Sequence, residues 1–277
     1  MFVVPSPIYP AFVLLGGLTF YSLVLNPWIG GLILNTVLAG IAILAPKKLL
    51  TPAGLLHAWA LGVLIWATLG WQGYSVILFY FLVGSTVTRI GMAEKEAAGI
   101  AEKRSGARGP ENVWGSALTA ALCALGIWIL NPSGTESAIQ GITLLTLGYV
   151  ASLSTKLSDT TASEVGKAYG KRTFLITTLK PVPRGTEGAV SLEGTLAGII
   201  ASVAIALLAW VVGLTTPLGI LICAVAAFVA TNAESVIGAT IQEKIGWLTN
   251  EVVNIINTMI GAIAAIVIMS LISLGLS

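Results

Sequence analysis

The sequence predicts an all-α protein embedded in lipid: a polytopic transmembrane helix bundle of about nine spans with two long cytoplasmic-side loops. Three observations predict it. Hydrophobic residues make up 56% of the 277 positions and charged residues only 9%, against about 25% charged in an ordinary soluble domain. So few charges could not cover a water-exposed surface. The apolar residues also gather into runs near the ~20 residues that cross a hydrocarbon core. Finally, the charges fall almost wholly between alternate pairs of runs.

The candidate spans, in order, are Ala11–Leu25, Trp28–Ala45, Ala53–Gly70, Tyr74–Ile90, Val113–Leu130, Ile139–Leu153, Leu192–Gly213, Leu218–Ala239 and Val252–Leu274. Only Asn26-Pro27 separates the first two, and a short Gly/Trp/Gln turn the third and fourth. Either pair could therefore be a re-entrant hairpin. Small residues recur through the runs, and Gly194-x-x-x-Gly198 predicts a close helix approach. The two long loops, 91–112 and 156–191, fall short of the ~40 residues below which a soluble domain rarely folds alone. Residues 1–277 thus read as a single integral-membrane domain whose loops are ordered against the helices.

All 14 Lys and Arg residues lie on, or at the membrane edge of, loops that follow even-numbered runs. By the positive-inside rule these loops face the cytoplasm or its organellar equivalent, which puts the N-terminus inside and the C-terminus outside. Of the 12 Asp and Glu residues, all but Glu136 sit on that face or, like Glu234, in a span near it. Opposite charges crowded on one side suggest a polar site as well as a topology signal.

Several function classes are excluded. A net charge of +2 gives no footprint for nucleic acid. Cys123 and Cys223 lie in apolar runs without a CxxC or a nearby His, which excludes a disulfide framework and a zinc site. The single histidine, His57, reads as a side chain satisfied by a neighbouring helix, and no Ser/His/Asp set can be assembled. No basic residue precedes the first apolar run, so Met1 is read as the mature start.

Loop 91–112 reads GMAEKEAAGIAEKRSGARGPEN. Mixed charge and alanine suit a short solvated helix, yet Lys103, Arg104 and Arg108 could equally hold phosphates, which guanidinium groups bind bidentately. In loop 156–191, Thr161-x-x-Glu164 has the form of a helix-capping box. Asp159, Ser163 and Glu164 could instead offer oxygens to one Mg²⁺, an ion that takes one or two protein carboxylates and the rest from nucleotide phosphates. Residues 166–173 fail as a P-loop, because the glycines are one residue too close and Arg172 stands where Ser or Thr is needed. The stretch Lys180-Pro-Val-Pro-Arg184-Gly185-Thr186-Glu187-Gly188 sets two cations around a proline-stiffened turn. Its Gly-Thr-x-Gly backbone N–H groups could cradle phosphate; a rigid surface turn is the plainer reading. Asn232 and Glu234 interrupt one span, and Asn250, Asn254 and Asn257 share a face of the last. Such polar side chains face a bundle interior or a watery site.

The segments SDTTASEVGKAYG, LKPVPRGTEGAVSLEGT, ESVIGATIQEK and TNEVVNIINT, with EKEAAGIAEKRSGARGP, resemble the phytyl-phosphate kinases over nearly the whole chain. Those are integral-membrane enzymes of tocopherol synthesis and phytol salvage, which implies a photosynthetic or plasma membrane. More distantly, Asp-x-x-Ala-Ser and Lys…Glu-Gly are similar to dolichol and phytol kinases, which use CTP. Ala189 follows Glu187-Gly188 where that branch has Thr, so its residues do not transfer position by position. The resemblance implies transfer of a phosphoryl group from a nucleoside triphosphate, CTP first among them, to phytyl or a related prenyl monophosphate. It implies Mg²⁺ on Asp159, Glu164 and Glu187, with Asp159, Lys180 and Arg184 as catalytic groups. Arg104, Arg108, Ser163, Gly185, Thr186, Gly188, Glu234, Asn250 and Asn254 would bind lipid phosphate and nucleotide. The expected partners are the bilayer and the prenyl phosphate, with room for a homo-oligomer.

Two other readings use the same residues. A CTP-dependent lipid-phosphate cytidylyltransferase also has an Asp-x-x-Ala pattern and a lysine near Glu-Gly. A transporter would run its path past Glu234 and the Asn row, but broken helices in matching halves, the mark of secondary transporters, are not evident.

Overall fold

The structure, a computed structural model, describes residues 26–102 and 106–275. The first expected span, Ala11–Leu25, and the phosphate candidates Lys103 and Arg104 lie outside the described residues. The helices are α1 (Pro27–Leu44), α2 (Pro52–Val87), the short α3 (Met92–Ala97), α4 (Pro110–Leu130), α5 (Glu136–Tyr169), α6 (Leu192–Val211), α7 (Pro217–Thr240) and α8 (Asn250–Gly275). All but α3 are long and apolar enough to cross a membrane, so seven such helices stand among the described residues. The starts are written locally. Asn26, Thr51 and Thr216 accept from backbone N–H groups of the first turn, each just ahead of a proline at the first helical position, where its missing N–H and fixed φ cost nothing.

Helix α2 corrects the reading of a multi-residue turn between the third and fourth spans. Its 36 residues, run straight, would reach about 54 Å, yet its two ends meet. The Arg89 guanidinium donates to the Lys48 carbonyl at 3.2 Å. The reversal occurs at Gly70, whose φ of 64° and ψ of −163° leave helical space, a backbone state that favours glycine. Arms 52–69 and 71–87 therefore run antiparallel. Trp66 packs edge-on against Tyr74 across the turn, ring centroids 5.4 Å apart.

Helix α5 is the axis of the bundle. Every residue from Leu147 to Asp159 is buried, and α2, α4, α6, α7 and α8 all pack on it. A helix buried all round needs small residues where neighbours come close. The expected approach at Gly194 and Gly198 is present: a Cβ on Gly198 would lie 2.9 Å from the Ser158 carbonyl, and one on Gly194 2.5 Å from that of Ala162. The outward faces are apolar, as lipid requires, with Ile33, Leu56, Ile129, Ile200, Leu221 and Leu271 all more than half exposed.

Helix α5 also corrects the second long loop. Its helix does not stop near Leu153 but continues through Lys156 to Tyr169. Thr161 and Glu164 thus lie inside the helix and form no capping box. The Thr161 hydroxyl is buried without a hydrogen-bond partner among the described residues. The remainder of the loop is a hairpin, with β1 (Thr173–Leu175) antiparallel to β2 (Ala189–Ser191). Ser191 then caps α6 by accepting from the Gly194 N–H at 3.1 Å.

As expected, Cys123 and Cys223 are free and buried. His57 is satisfied by a neighbouring helix, its Nδ1 accepting from the Trp114 indole at 2.8 Å.

A candidate active-site cleft at the charged end of the bundle

The segments that carry charge converge. Backbone bonds join Arg108 to Leu49 and Thr51, each at 3.0 Å. The Arg184 guanidinium donates to the Ala168 carbonyl at 2.9 Å, tying the hairpin to the end of α5. Gly188, at φ 74°, presses on α7, where a Cβ would come within 2.5 Å of the Ser235 carbonyl. Gly185, at φ 84°, presses on Ile100 in the same way. Between these contacts lies a cleft of about 700 Å³, within the range of small-molecule sites. Its floor is the C-terminal part of α5. Its walls come from α7, the start of α8, the segment before α4, and residues 185–191 of the hairpin.

Most residues singled out from the sequence meet there: Arg108, Asp159, Ser163, Glu164, Gly185, Thr186, Glu187, Gly188, Glu234, Asn250 and Asn254 all line it. Lys180 and Arg184 do not. They are exposed on the hairpin, outside the lining, and Arg184 is engaged by the Ala168 carbonyl. In the Gly-Thr-x-Gly segment only Thr186 spends its N–H on a turn carbonyl, as Ala189 does just beyond it, whereas those of Gly185, Glu187 and Gly188 find no backbone acceptor among the described residues. The third member of the Asn row, Asn257, is fully buried, and neither its amide oxygen nor its nitrogen has a partner among the described residues.

Three lysines that sequence reasoning passed over organise the carboxylates. Lys156 Nζ donates to Asp159 at 2.6 Å and to the Asn254 side-chain oxygen at 2.7 Å, linking α5 to α8. Lys95, wholly buried, donates to Glu164 and, at 2.7 Å, to the Thr88 carbonyl. Lys167 lies 3.5 Å from Glu164 and 3.6 Å from Glu102. The i,i+3 spacings of Lys156–Asp159 and Glu164–Lys167 were signals for these pairs, but only on a helix. Lys95, 69 residues from Glu164, had no local signal.

Among the described residues, seven carboxylate and three cationic side chains line the cleft, so a polyanionic ligand gains by bringing cations with it. Glu234 stands within electrostatic reach of Asp159, Lys156 and Glu187. No three Asp, Glu, His or Cys side chains close on one point among the described residues. An ion such as Mg²⁺ takes only one or two protein carboxylates and completes its shell with water and phosphate, so it would need no such cluster.

Comparison with known proteins supplies the wider context. Residues 35–262 match the family described as "Integral membrane protein DUF92". An uncharacterized membrane protein of Synechocystis is 68% identical over 240 residues, covering 87% of this chain and 90% of its own. Protein VTE6, chloroplastic, of Arabidopsis thaliana is 46% identical over 220 residues, covering 78% of this chain and 64% of that protein. An uncharacterized membrane protein of Methanocaldococcus jannaschii is 31% identical over 223 residues, 80% of this chain and 87% of its own. No solved structure matches. The chain belongs to the DUF92 family of integral membrane proteins.

Proposed function

We propose that the chain is a membrane prenyl-phosphate kinase of the phytyl-phosphate type, acting at the cytoplasmic or equivalent face of a photosynthetic membrane. It makes the prenyl diphosphate from the monophosphate and a nucleoside triphosphate, with CTP the first donor to try. One observation carries this reading. A single cleft, at the end of a lipid-exposed bundle, gathers the Asp159–Lys156–Asn254 cluster, Glu234, Arg108 and the open N–H groups of Glu187 and Gly188. The likeness to Protein VTE6 and the sequence resemblance to phytyl-phosphate kinases support it.

Phosphoryl transfer asks for positioning and charge neutralisation more than for covalent chemistry. An oxygen of the acceptor monophosphate, already ionised, forms a bond to the γ-phosphorus. The bond from that phosphorus to the β–γ bridging oxygen breaks, and the nucleoside diphosphate leaves. No general base is required, which suits a cleft without histidine among its lining residues. Lys156 and Lys167 balance charge on the transferring group. The Glu187 and Gly188 N–H groups hold phosphate oxygens, and Arg108 faces the acceptor. Asp159, with Glu234 or Glu187, would hold Mg²⁺, which when bound neutralises the triphosphate. Glu164, engaged by two lysines, serves to set Lys167 in place.

The test is an assay of detergent-purified protein with phytyl monophosphate, Mg²⁺ and separately γ-labelled CTP, ATP and UTP. Label is expected in a lipid diphosphate, and Asp159→Asn is expected to slow its appearance about a hundred- to a thousandfold while the protein stays monodisperse. Pyrophosphate and a nucleotidyl lipid as products would replace this reading with cytidylyl transfer.

A further inference from the structure

A second, smaller cavity of about 160 Å³ lies between α1, the two arms of α2 and α4. It is apolar, walled by Leu55, Ala58, Ile77, Phe81 and Ala117, and it shares Arg108 and Ser116 with the polar cleft. Arg108 stands at the junction. Its Nη1 donates to the Tyr80 hydroxyl at 2.7 Å and its guanidinium lies 5.3 Å from the Tyr80 ring centroid. A guanidinium has five N–H donors, so others remain for a phosphate. At the far end Tyr74 donates to Asn35 at 2.9 Å, and Asn35 donates to the Gly31 carbonyl at 2.9 Å. The polar groups there are satisfied by each other and call for no polar ligand.

We propose that this groove takes the first five-carbon unit of the prenyl acceptor while Arg108 holds its phosphate, the remainder of the tail lying in the bilayer. The inference rests on the prenyl-phosphate reading above and adds where the lipid sits. Charge and apolarity meet at one residue in the order that a lipid phosphate presents them. The size sets the limit: a cavity of about 150 Å³ accommodates a group the size of benzene, close to one isoprene unit and far short of a twenty-carbon chain. Phytyl and geranylgeranyl phosphates are alike in that first unit and differ only beyond it. The protein therefore reads the allylic end and treats the two alike.

Photolabelling tests this independently of turnover. Two phytyl monophosphate analogues are used, one with a diazirine in the first unit and one with it at the tail end. The first is expected to label peptides from 52–87 or 110–130, with competition by unlabelled phytyl phosphate; the second is expected to scatter over lipid-facing positions. Filling the groove with Ala58→Leu is expected to abolish the specific label and raise KM for the lipid at least tenfold, with the nucleotide KM unchanged. Ala39→Leu, at the α1 rim, serves if the first variant does not fold. Specific first-unit label on α6 or α7 overturns the inference whether or not the protein is a kinase. Groove label without transfer from any nucleotide keeps the groove and removes the kinase.

Discussion

Two of the lysine–carboxylate pairs on helix α5, centred five residues apart on Asp159 and Glu164, have different surroundings. Around Glu164, the partner Lys95 is wholly buried, comes from α3, and spends a second bond on the Thr88 carbonyl. Around Asp159, Lys156 comes from the same helix, both partners line the cleft, and Asn254 of α8 shares the ammonium. Each pair balances a charge in a low-dielectric setting, where losing one partner strands the other. The first pair is sealed on its cationic side, so Lys95 fastens α3 to α5 while Glu164 keeps one oxygen for Lys167. The second faces the cleft, where on the proposed activity an arriving phosphate or metal would exchange its partners. An ion pair is therefore a mark of chemistry here only where both partners face the cleft.

Breaking the sealed pair is expected to have the largest effect. Lys95→Met leaves Glu164 buried without its main counter-charge and is expected to cost about 3–5 kcal/mol of stability, read from thermal unfolding in detergent. Lys95→Met with Glu164→Leu is expected to regain most of it. A stable but inactive Lys95→Met would place Lys95 in the chemistry and erase the contrast. Next comes the open pair: Asp159→Asn is expected to slow phosphoryl transfer about a hundred- to a thousandfold, measured by lipid diphosphate formation, with a smaller loss of stability than Lys95→Met because Asn254 still shares the Lys156 ammonium. Gly198→Leu, which forces α6 away from the Ser158 carbonyl beside that pair, is expected to cost about 1–3 kcal/mol in the same unfolding measurement. Lys180→Ala should do least, within about 0.5 kcal/mol and with transfer almost unaltered. A large loss of transfer would show that the hairpin brings Lys180 to the substrate.

The bundle was legible because lipid imposes one rule on every outward face, so runs such as Leu192–Gly213 and Val252–Leu274 announce themselves by composition alone. The polar end was legible as a place, since charges confined to alternate loops must meet there. Its construction was not. Hydropathy falls at Lys156 because the site begins, while the α-helix itself continues, and reading that fall as a loop turned Thr161-x-x-Glu164 into a false cap. The same error hid the i,i+3 partners of Asp159 and Glu164. Lys95 and the exposed position of Lys180 depend on how α3 and the hairpin pack, which no local pattern encodes. Gly70 shows the reverse case. A turn was expected between two apolar arms, and one glycine suffices for it.

The length of α5 has a consequence for kinetics. Glu136 opens the helix and Asp159 follows twenty-three residues later, a rise of about 35 Å against a hydrocarbon core of about 30 Å. With Glu136 at one interface, Asp159 stands at the other, level with the headgroups. On the proposed activity, a prenyl phosphate would reach Asp159 by lateral diffusion without leaving its leaflet. Turnover should follow the acceptor's mole fraction in the membrane and fall on surface dilution with inert lipid, even when its bulk concentration is held constant.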